Sequence, residues 1–208
     1  MNKRLVGTVV AVLALVSFGT VLYAQIDPVE ILSGLLPADC VTQEDMFQVI
    51  NALIGDCVDD PNATVEDIVA AFKDNGLLPK GFVYEADACV TKGLLSQIFY
   101  RALNLRPTVA EWLRIATGGL DPVTATNVAQ RHCVMVTGEA DEALTGREFA
   151  ACIIALLNFE LEHERLACGR FGYHFGRLSN WLNEILATVM SESEAATYIP
   201  CLIIVPTS

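Results

Sequence analysis

The side chains best suited to chemistry lie together late in the chain: Glu160, Glu162, His163, Cys168 and His174. Glu160-x-x-His163 matches half of the motif with which helical bundles hold two iron ions, both ligands leaving one helix face. Such a centre needs a second Glu-x-x-His and two further glutamates, and no second copy occurs. His132-Cys133 could add ligands for a mixed zinc site, and Cys168 with His163 or His174 could act as nucleophile and base. Neither arrangement is demanded by its spacing. The plainer reading is a set of solvated acids with histidine at a helix C-terminus. Gly-x-Ser-x-Gly, the phosphate loop, the dinucleotide fingerprint and His-Glu-x-x-His do not occur. The sequence therefore implies no catalytic residue, no metal and no cofactor. A non-enzymatic protein is expected, the alternative being an exported enzyme with an unrecognised site around residues 160–174.

Seven cysteines, Cys40, Cys57, Cys89, Cys133, Cys152, Cys168 and Cys201, include no Cys-x-x-Cys. In an oxidising compartment such a set forms disulfides and leaves one thiol over. Cys40 and Cys57 flank one expected helix and stand about 20 Å apart at 1.5 Å per residue, too far to pair. Cys152 falls on an apolar helical stripe and is expected to be a small buried side chain.

An oxidising compartment is what the N-terminus implies. Lys3 and Arg4 precede an uncharged run from Leu5 to Ala24, the order of a secretory signal. Residues 1–24 are read as a signal peptide, or as an uncleaved anchor, since about 20 apolar residues can span a bilayer. Either way the body is exported, to the envelope or beyond, and meets a membrane only through residues 5–24 if they are retained. With 25 acidic against 13 basic residues the net charge is −12. That excludes a general nucleic-acid footprint and favours solubility.

The elements that must position any site come from a repeat. Val41-Thr42, Val90-Thr91 and Leu144-Thr145 each open a segment that is apolar at +4, +7, +8, +11 and +12 from its threonine. Met46, Val49, Ile50, Leu53 and Ile54 form the first set; Leu95, Ile98, Phe99, Ala102 and Leu103 the second; Phe149, Cys152, Ile153, Leu156 and Leu157 the third. This is one face of a helix. Each threonine stands as N-cap, with Asp45 and Glu148 placed three residues on to complete a capping box. Before each capped helix comes Gly34-Leu35-Leu36-Pro37, Gly76-Leu77-Leu78-Pro79 or Gly119-Leu120-Asp121-Pro122, a helix stop. The helices they end are expected at 29–32, 64–75 and 108–117, the latter two capped by Thr64 and Thr108. The longest loop has room for a further helix at 123–132. One hairpin cannot bury its stripe alone, whereas three packed together can. Beyond them a helix is expected at 178–190 and a docked strand or extended tail at 198–205. Trp112 and Trp181 fall at apolar helical positions and are expected in the core, and Asn62-Ala63-Thr64 fits a glycosylation sequon.

Residues 75–105, NGLLPKGFVYEADACVTKGLLSQIFYRALNL, resemble the bacterial surface-layer homology repeat: a Gly-apolar-apolar turn, an aromatic in the loop, a Thr-capped helix and a closing Arg-Ala-Leu. Residues 143–159 resemble its second half, and residues 40–53 do so more faintly. The resemblance implies an all-α fold of three helical hairpins in a pseudo-threefold bundle, at about 26–57, 58–106 and 107–160, followed by a C-terminal helical extension over 161–208. It also implies binding of cell-wall polysaccharide, or of an envelope protein, in grooves between repeats. The family's arginine after the threonine is Gln43, Lys92 and Gly146 here, with Arg147 one position late. The ligand-binding residues the resemblance implies are therefore Thr91, Lys92, Thr145 and Arg147, and the first unit, with Gln43, Glu44 and Asp45, is expected to be inactive.

Overall fold

Threonine opens the helices at the heart of this protein. The computed structural model describes residues 28–54, 63–162 and 175–203. Its elements are α1 (Pro28–Leu35), α2 (Gln43–Ile54), α3 (Val65–Asp74), α4 (Lys92–Ala102), α5 (Val109–Gly118), α6 (Pro122–Arg131), α7 (Gly146–Glu162), α8 (Phe175–Thr188) and α9 (Glu192–Tyr198). Among the described residues the regular elements are all helices, so the protein is all-α. The signal region, Cys57, Asn62, His163, Cys168, His174 and residues 204–208 lie outside them.

Each expected cap forms. Thr42, Thr64, Thr91, Thr108 and Thr145 accept the amide three residues on at 3.2–3.3 Å. Asp67, Glu111 and Glu148 return a carboxylate to the cap backbone at 2.9, 2.6 and 3.0 Å, completing capping boxes. Asp121 caps α6 and Pro122 opens it, where a missing N–H costs nothing. Gly76 and Gly119 take φ of 70° and 83° just past α3 and α5, a left-handed backbone that glycine adopts without steric cost. Gly34 behaves differently. It lies inside α1, which runs on to Leu35 instead of stopping at Leu32.

The three apolar-threonine dipeptides meet. Val41 donates its N–H to Leu144 O (2.8 Å), Leu144 to Val90 O (2.9 Å), and Val90 to Val41 O (2.8 Å). Each of the three residues gives one bond and takes one, in a closed cycle, and all three side chains are fully buried. The cycle has a local cause. The threonines are extended (Thr91 has φ −89°, ψ 154°), so the residues before them must find backbone partners in another segment. Outside the cycle the first amide of each capped helix is satisfied the same way: Gln43 N–H to Ala88 O (2.9 Å), Lys92 to Glu142 O (2.9 Å) and Gly146 to Ala38 O (3.0 Å).

Around this cycle the apolar stripes form one core. Met46, Val49, Ile50, Leu53, Leu95, Ile98, Phe99, Leu103, Phe149, Cys152, Ile153, Leu156 and Leu157 are all buried. α3 packs on α2, α6 on α4, and α8 and α9 on α7. Phe47 of α2 meets Phe72, Phe82 and Tyr84 edge-on, with centroids 5.5–6.0 Å apart.

Two expectations need correction. Trp181 packs against the core, but Trp112 is 57% exposed. The segment read as a strand or extended tail from 198 instead ends α9 and turns, with Leu202 N–H bonding Ile199 O at 2.9 Å. Ser191 caps α9, Glu192 and Glu194 suit its first turn, and Pro200 bars its continuation.

Candidate functional site

The junctions between capped helices are where the sequence placed its binding residues. Lys92 is the first residue of α4, and the Thr91 cap aims it at the loop leading into α7. Its ammonium donates to Thr137 O (2.9 Å) and pairs with Glu142 (2.6 Å) and Glu148 (3.0 Å). The Lys92 side chain is only 5% exposed, against 50% for Glu142. Burial alone would lower the lysine's pKa, but the bonds to Glu142 and Glu148 outweigh it and hold the value above the ordinary range. The same bond holds Glu142 below its usual value.

Glycines make room for this packing. A side chain on Gly138, whose φ is 128°, would collide with the Lys92 ammonium and the Glu142 carboxylate. A Cβ on Gly93 would stand 2.7 Å from Pro122 Cβ and 2.8 Å from Ala140 O. The residue after each threonine fills the corresponding place at the other two junctions by other means. Gln43 Oε1 accepts Glu85 N–H at 3.1 Å. Gly146 carries nothing there, since a Cβ would collide with the Leu35 carbonyl.

Thr91 and Thr145 are thus helix caps, and Lys92 is an internal cation that an acidic ligand would have to win from two carboxylates. Arg147 is half exposed and pairs with Glu194 of α9. Glu142 had no sequence signal, because it sits in an aperiodic loop. Glu148 had half of one: its capping box uses Oε2 and leaves Oε1 to receive Lys92.

Replacing Lys92 with methionine should cost about 1.5–3 kcal/mol, the worth of a hydrogen bond to a charged group. The lysine's folded pKa lies above its ordinary 10.5, so its contribution is complete below that value and is lost as pH rises through the folded pKa. The folded pKa of Glu142 lies below 4.5, so its contribution is complete above 4.5 and is lost as pH falls through the folded pKa. Urea titration of parent and Lys92→Met across pH should therefore give a constant gap between those limits and a narrowing one outside them. A gap that varies through neutral pH would refute the assignment.

Cys40 is bonded to Cys89 and Cys133 to Cys201. The second bridge removes Cys133 from the mixed zinc site with His132. Cys152 is free and buried, and burial pushes its thiol up to about 12, which leaves no useful thiolate at neutral pH. Among the described residues no three potential ligands converge on a metal position, and no helix is long and apolar enough to cross a membrane. No protein-family model, curated protein or solved structure matches this chain.

Proposed function

We propose that this chain is a non-enzymatic, extracytoplasmic protein of the cell envelope, built on three helical-hairpin units about a pseudo-threefold axis, that acts by binding an envelope protein. The closed cycle of Val41, Val90 and Leu144 supports the threefold arrangement. Two disulfides support an oxidising compartment, where such bonds persist. The surface-layer homology resemblance rests on residues 75–105 and 143–159 alone.

The choice of a protein over wall polysaccharide rests on one observation: the cations singled out for an acidic sugar are engaged internally, Lys92 by Glu142 and Glu148, and Arg147 by Glu194. The helix N-termini that would add free N–H groups are likewise used, by Ala88, Glu142 and Ala38. Co-sedimentation with purified wall material tests this for the parent, Lys92→Met and Arg147→Glu, with folding checked by melting. Equal retention of all three is expected. Retention that falls for either folded variant, and weakens with salt, would return the function to acidic sugar binding.

A further inference from the structure

α5 carries its apolar face outward. Within the repeat, α3 and α5 are counterparts, capped by Thr64 and Thr108. In α3 the residues four, five and eight beyond the threonine, Ile68, Val69 and Phe72, are buried in the packing against α2. The same offsets in α5 hold Trp112, Leu113 and Ala116, with Val109 completing the stripe. Here the stripe is bare: Val109 is 79%, Trp112 57% and Leu113 52% exposed. No residue of α5 is buried. The helix is held instead from its other side, by half-buried Ile115 and by Glu111, which Arg131 of α6 grips at 2.7 and 2.9 Å.

The cause is α6. It lies along α4 with Ala125, Val128 and Ala129 buried, and so takes the seat that α3 occupies on α2. Gln97 of α4 pins the intervening turn by donating to Leu120 O at 2.8 Å. Among the described residues, the exposed large apolar side chains gather here: Val109, Trp112, Leu113 and Val123, with Val83 and Ile203 the exceptions.

We propose that α5 pairs with α5 of a second copy, antiparallel about a twofold axis. Three features favour a copy of this chain as the occupant. The stripe is bordered by Ala110 and Thr117, so two copies can meet there without opposing like charges, whereas a chain of net charge −12 repels itself over most of its surface. Centred between residues 112 and 113, an antiparallel pair sets Trp112 against Leu113 and Val109 against Ala116, large against small, as helix packing requires. A stripe already docks on another helix in the counterpart unit, where Phe72 meets Phe47. A ten-residue helix spans only about 15 Å, and the patch falls short of the roughly 800 Å² per partner of a stable interface. The dimer is therefore weak and concentration-dependent.

The inference goes beyond the envelope reading, which stands whether or not the copies pair. Sedimentation equilibrium of the disulfide-bonded protein tests it. The parent's mass should rise toward twofold with concentration, while Trp112→Glu and Leu113→Glu stay monomeric at the parent's melting temperature, their side chains being exposed. Mixing Val109→Cys and Ala116→Cys chains should give a cross-link, and Val109→Cys alone should not, because its two sulfurs would lie about 10 Å apart along the helices. A parent that remains monomeric up to about 1 mM, where even millimolar association shows, would overturn the proposal. So would a dimer indifferent to both glutamates, or a monomer that binds phosphatidylglycerol vesicles through Trp112.

Discussion

Aspartate at Ile50, Phe99 or Ile153 unfolds the protein. These residues occupy the same offset, eight beyond the capping threonine, in α2, α4 and α7, and each is at most 1% exposed. Truncating such a side chain costs about 2–5 kcal/mol through lost burial and the cavity left behind. An unpaired carboxylate in the same place adds a desolvation cost of similar size. Together these match the roughly 5–15 kcal/mol that holds a domain folded. All three variants should lose the helical circular dichroism of the parent and its cooperative melting transition. One that kept both would show that its stripe lies outside the shared core.

Removing the Cys40–Cys89 bridge produces the second large effect. Cys40 immediately precedes Val41 and Cys89 immediately precedes Val90, so the bond locks two of the three segments that close the backbone cycle. It spans 49 residues, and closing a loop of that length in the unfolded chain is worth about 4 kcal/mol in chain entropy. For a protein of this size that corresponds to a fall of roughly 8–16 °C in Tm. Calorimetry of Cys40→Ser/Cys89→Ser should show that drop with the helical content of the folded state unchanged. The third unit holds Ala143 at the equivalent position, so its closure relies on hydrogen bonds alone. A Tm matching the parent's would mean that the bridge contributes nothing to the closed arrangement.

What the sequence disclosed was local and periodic. Threonine caps, the stripe residues from Met46 to Leu157 and the left-handed glycines at 76 and 119 each follow from a few neighbouring residues, and each appears where it was expected. What it concealed depends on competition between distant segments. Trp112 has the same helical offset as buried Ile68, and only the seating of α6 on α4 leaves it exposed. Lys92 reads as a surface cation until the aperiodic loop at 137–142 folds over it. Helix geometry could exclude a Cys40–Cys57 bond, but pairing Cys40 with Cys89 required the cycle that brings Val41 beside Val90. Gly34 resembled the helix stops at Gly76 and Gly119, yet its backbone remains helical.

The central claim is that the capped units close on one another and are locked there by oxidation outside the cytoplasm. Blocking thiols at the moment of lysis in the native cells, without reductant, and mapping the peptides by mass spectrometry tests both parts at once. The account predicts a Cys40–Cys89 peptide and a Cys133–Cys201 peptide, with Cys152 alkylated only after denaturation. Finding Cys40, Cys89, Cys133 and Cys201 all alkylated as free thiols would contradict it.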